Sequence, residues 1–201
     1  WTQFQIITGS ADWSVVKYSS GQWIAVSPTA LAISTDNALT WTDLSATFGS
    51  IWTDLAYGNG RWVAVARTGS RRAMLSFDGF SWATTLSADD NMDWYSVAFG
   101  NGRFVAVGGS FANGTSAIMW SDTGISWTLV APPVTSLWSS ITFGNNVFVA
   151  VSRSGDAMES ADGGLTWEMI STPGDYRWVR VVFGENTFSS IADFASASDT
   201  N

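Results

Sequence analysis

The stretch WYSVAFGNGRFVAV, residues 94–107, decides the fold of this chain. Two runs of aromatic and β-branched residues flank Gly100, Asn101 and Gly102, and Gly and Asn tolerate the positive φ angles of a tight turn. This pattern is the strongest short-range signal of a β-hairpin. A repeat of about forty residues whose pattern predicts β-strands is typical of the blades of a β-propeller. Five related hairpins open at Trp13, Trp52, Trp94, Trp138 and Trp178.

A second motif follows four of the hairpins and is clearest at residues 160–167, SADGGLTW. Its other copies are STDNALTW at 34–41, SFDGFSW at 76–82 and WSDTGISW at 120–127. The motif resembles the Asp box, S-x-D-x-G-x-T-W, of BNR-like β-propellers. Relative to that pattern, the first copy has Ala38 in place of Gly, the second is one residue short, and the third has Trp120 in place of the leading Ser.

The resemblance implies a structural role for this motif. In Asp-box propellers the Asp caps the turn between the third and fourth strands by accepting backbone N–H bonds, and the Trp packs between blades. Turn capping, and neither catalysis nor metal binding, is therefore implied for Asp36, Asp78, Asp122, Asp162 and, in a partial fifth copy, Asp199.

The repeats predict an all-β fold, a single five-bladed β-propeller of four-stranded antiparallel blades over residues 1–201. The blades cover about residues 13–47, 52–88, 94–132 and 138–172, and the last joins 178–201 to the N-terminal strand 1–7. Trp1 aligns with the Trp that opens the fourth strand of the other blades, so we expect residues 1–7 to close the ring. The alternative is that the chain is a slice of a longer propeller with about six to eight blades.

The composition excludes several classes of function. The chain has 17 acidic and 9 basic residues, a net charge of −8 and an isoelectric point near 4.2, which argues against a nucleic-acid partner. It contains no Cys and no His, so disulfides, thiolate metal sites and Ser-His-Asp or Cys-His catalysis cannot operate within it. No apolar run approaches the roughly twenty residues of a membrane span. We expect no membrane insertion, no metal and no cofactor. Because the chain begins at Trp1, inside a motif, we also expect it to be part of a longer chain or a larger assembly.

We expect a ligand site on the face that carries the connections between second and third strands and between blades. These loops vary in length and chemistry, whereas the turns on the opposite face are short and alike. Six of the eight Arg residues fall on or beside the variable face, which favours contact with an anion, a carboxylate or a glycan. The alternative is that they form surface pairs with nearby Asp side chains. The candidate ligand-binding residues are Arg67, Arg71, Arg72, Phe111, Arg153, Tyr176 and Arg177.

The function expected from these features is non-catalytic recognition or structural support. Sialidases, which share the Asp box, use three Arg side chains, a Tyr nucleophile assisted by a Glu, and an Asp acid/base; no Tyr and Glu pair beside an Arg triad is evident here. The repeats resemble propeller domains of bacterial surface proteins and of bacteriophage tail or fibre proteins. That resemblance implies an extracellular or virion-associated module that binds carbohydrate or a protein surface. An assembly-factor scaffold is a third interpretation, and the unequal loops favour one asymmetric site over five equivalent sugar sites.

Overall fold

The computed structural model describes residues 12–44, 50–110, 113–174 and 176–193, and within them all regular secondary structure is β. The strands fall into five groups, here called blades 1 to 5. Blade 1 contains β1 (Val15–Ser19), β2 (Gln22–Val26), β3 (Leu31–Ser34) and β4 (Thr42–Asp43). Blade 2 contains β5 (Trp52–Gly58), β6 (Arg61–Ala66), β7 (Ala73–Ser76) and β8 (Ala83–Thr85). Blade 3 contains β9 (Asp93–Gly100), β10 (Arg103–Ser110), β11 (Thr115–Ser121) and β12 (Thr128–Val130). Blade 4 contains β13 (Trp138–Gly144), β14 (Val147–Ser152), β15 (Ala157–Ser160) and β16 (Glu168–Ile170), and blade 5 contains β17 (Arg177–Gly184) and β18 (Thr187–Asp193).

Each blade is an antiparallel sheet whose strands are hydrogen-bonded in chain order. Blades 1 to 4 have four strands each, and the described part of blade 5 has two. The predictions of an all-β fold and, for blades 1 to 4, of four-stranded antiparallel blades are therefore confirmed. Residues 1–7, which were predicted to close the ring, and Asp199 lie outside the described residues.

The first two strands of every blade meet in a two-residue turn with positive φ angles. In blade 3 the turn residues Asn101 and Gly102 have φ of 50° and 79°. These values match the type I′ turn, whose twist fits that of the flanking strands. Asn and Gly adopt such angles at low cost, so this turn is readable from the sequence alone.

Each interface between neighbouring blades is here called a seam. At three seams an aromatic ring of one blade lies on a glycine of the blade before it. A Cβ atom on the glycine would lie only 2.1 Å from a ring carbon. None of these glycines has a positive φ angle, so packing, and not backbone conformation, requires the missing side chain. The pairs are Gly58 with Phe99, Gly100 with Phe143 and Gly144 with Phe183.

A polar residue two positions after the first-strand Trp accepts a backbone N–H bond across three of the seams. The N–H of Val97 donates to Asp54, that of Ile141 to Ser96 and that of Val181 to Ser140, at 3.1, 3.2 and 3.1 Å. In the seam between blades 1 and 2 the acceptor position holds Val15, which has no acceptor atom. There the N–H of Leu55 bonds to Oδ1 of Asp54 in its own blade, at 2.9 Å.

A second line of hydrogen bonds follows the hairpin turns. In three blades the Asn that opens the turn donates its side-chain N–H to a turn carbonyl of the next blade. Donors therefore lie on one blade and acceptors on the following one, which gives every such seam the same polarity. The bonds run from Asn59 to Gly102, from Asn101 to Asn146 and from Asn145 to Asn186.

Most Trp side chains belong to the seams. The first-strand residues Trp52, Trp94, Trp138 and Trp178 are buried. The motif residue Trp82 packs against the apolar cluster shared by blades 1 and 2, and its counterparts in blades 3 and 4 hold the same place in the next two seams. Burial of these large rings stabilises the contact between blades, since the hydrophobic contribution grows with the apolar area removed from water.

Asp162 caps the turn between β15 and β16. Its Oδ1 accepts the backbone N–H groups of Leu165 and Thr166, at 3.0 and 2.9 Å, and its Oδ2 accepts the Thr166 hydroxyl at 2.6 Å. Desolvation opposes ionisation of this carboxyl. The hydrogen bonds outweigh it and hold the pKa of Asp162 at about 2.

Asp36 and Asp78 cap the corresponding turns of blades 1 and 2. The hydroxyl of Thr40 donates to Asp36 at 2.6 Å and is the largest cause of a pKa of about 2 for that carboxyl. Asp78 accepts the backbone N–H of Ser81 at 2.7 Å, and this bond is the main cause of its lowered pKa. Both carboxylates thus satisfy backbone donors that the turn leaves unpaired.

The third copy of the motif has a different register from the one predicted. Ser121 pairs with Phe104 on the second strand of its blade, which is the position of the leading Ser in the other blades. Thr123 therefore stands where the others have Asp, and its hydroxyl accepts the N–H of Ile125 at 3.3 Å. The assignment of Asp122 as a turn cap was therefore wrong. It came from aligning the motif copies on their Asp residues, although the turn of this copy is one residue shorter than the pattern.

Asp122 has another partner. Its Oδ1 accepts a bond from Nε of Arg103 at 3.0 Å. The same guanidinium lies over the ring of Trp120, 4.5 Å from the ring centre. Trp120 is therefore a half-buried strand residue that stacks on Arg103, and it does not replace a turn Ser.

Blades 1 and 5 do not form a seam in the part of the chain that the structure describes. Gly184 holds the seam position of blade 5, but nothing lies within 4 Å of the place that a Cβ would occupy. Tyr18, the matching aromatic residue of blade 1, is 54% exposed. Closure of a five-bladed ring is thus not seen among the described residues.

The seams predict that two equivalent glycines differ in their tolerance of a side chain. Gly100→Ala should lower the free energy of unfolding by about 2 kcal/mol or more, because the new methyl group collides with the ring of Phe143. Gly184→Ala should change it by less than about 0.5 kcal/mol, because the space is open. Urea unfolding followed by Trp fluorescence measures both values, and equal effects would contradict the proposed packing.

The turn caps predict a pH-dependent contribution from Asp162. The turn binds the ionised carboxylate, so its contribution is complete above the ordinary Asp pKa of 3.8 and is lost as the pH falls toward 2. The stability difference between the native chain and Asp162→Asn, about 1 kcal/mol at neutral pH, should therefore shrink over this window. Asp122→Asn is the matched control, and a difference for Asp162→Asn that is constant with pH would refute the role of the carboxylate.

Candidate functional site

The variable face opens into a cavity where residues of all five blades meet, here called the axial cavity. Its volume is about 290 Å³. Arg67 and Arg153 stand at the start of the connections between second and third strands, which places the cavity at the mouth of the variable face. In every blade the residue directly after the first-strand Trp lines it: Ser14, Thr53, Tyr95, Ser139 and Val179.

A β-bulge marks this position in blades 2 to 5. In blade 3 the pairing of β9 with β10 passes from Ser96 to Trp94 and leaves Tyr95 out, and the same position is left out in the other three. A bulge residue is unpaired, so its side chain can take a direction that a regular strand forbids. In blades 2 and 4 the hydroxyls of Thr53 and Ser139 use this freedom to donate to a carbonyl of the next blade, each at 2.7 Å.

Three Arg side chains reach the axial cavity from different blades. They are Arg67 of blade 2, Arg153 of blade 4 and Arg180 of blade 5. The backbone of Arg67 is fixed by an N–H bond to the carbonyl of Ile51 at 2.8 Å, and that of Arg153 by the equivalent bond to Leu137 at 2.9 Å. Among the described residues no carboxylate lies within salt-bridge distance of these three guanidinium groups. In a chain with a net charge of −8, this leaves unpaired positive charge at one cavity.

Tyr95 lies close enough to two of these Arg residues for both to act on its ionisation. Burial of the phenol and the nearby carboxylate of Asp93 raise the pKa of Tyr95, and the positive charges of Arg67 and Arg153 act in the opposite direction. The net effect is a raised pKa. The phenol is therefore neutral near pH 7, and its O–H is donated to Asp93.

Arg72, predicted to contact a ligand, is engaged within the protein. Its Nη1 donates to Oδ1 of Asp93 at 2.9 Å, and its Nε donates to the carbonyl of Gly69 at 3.1 Å. Asp93 in turn is hydrogen-bonded to Tyr95. The structure thus gives Arg72 a supporting place behind the axial cavity, where it fixes the carboxylate that holds Tyr95.

The other predicted ligand residues lie apart from the cavity. Arg71 is exposed on the loop that precedes β7. Tyr176 is exposed and packs edge-on against Trp178, with ring centres 5.4 Å apart. Arg177 is half-buried at the start of β17, and Phe111 lies outside the described residues. Among the predicted residues that the structure describes, those in the axial cavity are Arg67 and Arg153.

Tyr95 and Arg180 were not among the predicted ligand residues. A signal for Tyr95 was available in the repeat, because three of the four equivalent residues are the small hydroxyl side chains Ser14, Thr53 and Ser139. An aromatic residue there departs from the pattern. Arg180 departs in the same way, since it occupies the position where Asp54, Ser96 and Ser140 accept a bond across the seam.

The opposite end of the axis has a different character. A cavity of about 240 Å³ opens there, lined by first-strand residues of blades 1 to 4 that include Ala56, Ala98 and Thr142. Its one cationic residue among those described, Lys17, lies 3.9 Å from Oδ1 of Asp54. Of these two cavities, the axial cavity is therefore the one with Arg side chains that have no carboxylate partner among the described residues.

The described part of the chain has no group of three or more acidic side chains placed to hold a metal ion. Within the same residues, no helix is long and apolar enough to cross a membrane.

Comparison with solved structures identifies the fold class as a β-propeller. No family model matches the sequence, and no curated protein matches it. The chain is similar to virginiamycin B lyase from Staphylococcus aureus, a β-propeller, with a TM-score of 0.74 and 13% identity over 95% of this chain and 73% of that one. It is also similar to the β-propeller YCF48 bound to a D1 peptide, with a TM-score of 0.65 and 16% identity over 89% of this chain and 61% of that one.

A computationally designed protein, Ika8, is a third similar structure, with a TM-score of 0.62 and 14% identity over 90% of this chain. The chain spans 61% of the length of YCF48 and 55% of that of Ika8. At these identities the likeness concerns the fold alone, because one fold hosts many unrelated functions.

The electrostatics of the axial cavity predict the response of Tyr95 to loss of its Arg neighbours. Positive charge stabilises the phenolate, so the double variant Arg67→Gln/Arg153→Gln should raise the pKa of Tyr95 further. Titration of the phenolate absorbance band measures this value, and Tyr95→Phe identifies which of the Tyr signals belongs to this residue. Arg61→Gln, on the opposite face, is the matched control, and an unchanged pKa in the double variant would show that the guanidiniums do not face the phenol.

Proposed function

We propose that the chain is a non-catalytic recognition module that binds an anionic group of a partner protein, most simply a carboxylate, in the axial cavity. The observation that carries this proposal is the convergence of Arg67, Arg153 and Arg180 on one cavity without carboxylate partners among the described residues. Such unpaired cations are unusual in so acidic a chain, and a bound anion would neutralise them.

The chemistry of the cavity fits a carboxylate. A guanidinium presents two parallel N–H groups that match the two oxygens of a carboxylate. The phenol of Tyr95 donates its one O–H to Asp93, which Arg72 holds in turn, so Tyr95 is an ordered wall of the cavity beside the Arg side chains. A wall that is ordered before the ligand arrives reduces the entropy lost on binding.

A protein partner is favoured over a glycan. The cavity has one Tyr and three cations from unlike blades, so it forms a single asymmetric site and not five equivalent sugar sites. YCF48, similar in fold, is described as bound to a peptide. Recognition of a carbohydrate, as in a bacteriophage tail or a cell-surface protein, is the alternative, and an extracellular or virion-associated setting belongs to the same proposal.

The proposal that the module is not an enzyme is supported by its side chains. Virginiamycin B lyase is a propeller enzyme, and a histidine variant of it is described as catalytically inactive. This chain contains no His. The axial cavity supplies three Arg side chains and a Tyr whose pKa is raised, and these groups bind anions better than they abstract protons.

The proposal predicts that capture of peptides depends on the axial Arg residues. The probe is an array of random peptides displayed with a free terminal carboxylate and, in parallel, as terminal amides, beside an array of acidic and neutral glycans. Peptides with carboxylates should be retained, and Arg67→Gln or Arg153→Gln should weaken their binding by about 10- to 100-fold. Raised ionic strength should weaken it as well.

Two comparisons make this test specific. Arg61→Gln is the matched control, because Arg61 lies over the Phe77 ring, 4.9 Å from its centre and away from the axial cavity. Equal retention of carboxylate and amide peptides, or equal binding by the double variant, would overturn the proposed site. If only acidic glycans are retained and their binding still depends on Arg67, the axial cavity would remain the binding site, but its partner would be a carbohydrate and not a protein.

A further inference from the structure

The hydroxyl groups in the wall of the axial cavity are already bonded within the protein. The hydroxyl of Thr53 lies within hydrogen-bond distance of two backbone carbonyls, at 2.7 and 3.1 Å, and that of Ser139 of two others, at 2.7 and 3.2 Å. The hydroxyl of Ser14 donates to a backbone carbonyl at 3.4 Å, and that of Tyr95 donates to Asp93. Because a hydroxyl has a single proton to donate, these groups have no donor left for a ligand.

A ligand in this cavity therefore meets its side-chain donors on the guanidinium groups. Arg67, Arg153 and Arg180 can serve the oxygens of one anionic group. Polar acceptor atoms elsewhere on the ligand would lose their bonds to water and gain none from the hydroxyl groups of the wall, which opposes binding. A sugar or a polar side chain is thus a poor match for the part of the cavity beyond the guanidinium groups.

Apolar side chains also line the axial cavity. Pro28 and Ile51 lie near each other where blades 1 and 2 meet, since the N–H of Trp52 donates to the carbonyl of Pro28 at 3.4 Å. Val179 lines the cavity from blade 5. Ile51 is half-buried and Val179 is 37% exposed, so both keep apolar surface that a ligand can cover. Removal of this surface from water would stabilise a complex.

The size of the cavity limits what can enter it. Its volume of about 290 Å³ is at the lower end of the range for small-molecule pockets, which is about 300 to 1,000 Å³. Such a cavity can take one residue of a partner chain, and it is too small for a helix or a hairpin. The anionic group and the apolar group that the wall favours must therefore belong to the same residue.

A chain end with an apolar last residue has both groups. The side chains of Asp and Glu carry their carboxylate at the tip, whereas a terminal Leu, Ile or Phe has a main-chain carboxylate beside an apolar side chain. We propose, on the basis of the function proposed above, that the axial cavity binds the terminal carboxylate of a protein whose last residue is apolar. The carboxylate binds the guanidinium groups, and the apolar side chain packs against Ile51 and Val179.

The test uses peptides of one sequence that differ in the last residue, Leu or Asn, each prepared as the free acid and as the terminal amide. Leu and Asn are similar in shape, and the two acids carry the same charge, so a difference in affinity reports the apolar contact. Isothermal titration calorimetry should show that the acid ending in Leu binds about tenfold more tightly than the acid ending in Asn. Arg67→Gln should weaken the binding of both acids.

Variants of the apolar wall make the test specific. Ile51→Asn leaves the main-chain carbonyl that accepts the N–H of Arg67 at 2.8 Å, so the guanidinium keeps its support. It should reduce the preference for Leu to less than about threefold, while acids still bind better than amides. Val179→Asn tests the same contact from another blade. The matched control is Val134→Asn, the same change at an exposed position outside the cavity, and it should keep the full preference. Circular dichroism checks that each variant folds.

The outcomes separate this inference from the function on which it rests. If acids bind better than amides and depend on Arg67, but Leu and Asn peptides bind equally, the carboxylate site stands and the inference about the last residue is wrong. If acids and amides bind equally, the proposed function fails and the inference fails with it. A preference for Leu that persists in both Ile51→Asn and Val179→Asn would also overturn the inference, since another surface would then be responsible.

Discussion

The aromatic ring that lies on a glycine of the preceding blade is the contact on which the rest of this structure depends. It brings the first strands of neighbouring blades within reach of each other, so that a backbone N–H can bond to Asp54, Ser96 or Ser140 across the seam. With that spacing fixed, the residues after each first-strand Trp meet at one cavity. The axial cavity is thus a consequence of how closely the blades pack.

One position of the repeat serves two purposes because it lies on a bulge. In blades 2 and 4 the hydroxyls of Thr53 and Ser139 reach a carbonyl of the next blade. In blade 3 the same position holds Tyr95, which meets Asp93 and the charges of two Arg side chains. A change of one residue in one blade is sufficient to turn a structural position into part of a candidate site, which explains how a repetitive scaffold acquires an asymmetric centre.

The features that sequence predicted correctly are those that depend on near neighbours. The turn at Asn101 and Gly102 follows from backbone conformation, and the four-stranded blades follow from alternating apolar runs and their spacing. The features that sequence missed arise between distant segments. Asp122 was misassigned because the residue that caps the turn is determined by the register of β10 with β11, and not by the order of residues in the motif.

The candidate site shows the same limit. Arg67 and Arg72 look equivalent in the sequence, yet Arg72 is bound by Asp93, 21 residues away, while Arg67 faces the axial cavity. The bulge that leaves Tyr95 out of the strand pairing arises from the register of β9 against Gly108 of β10, which the residues of β9 do not specify by themselves. Spatial neighbours of this kind were beyond a reading of one sequence.

The polarity of the seams bears on how the molecule is made. At three seams the earlier blade supplies the glycine and the acceptor, and the blade that follows it supplies the ring and the donor N–H. A blade that leaves the ribosome therefore finds its docking surface already complete on the segment synthesised just before it. Folding can proceed blade by blade in the order of translation, and each step needs only the nearest neighbour.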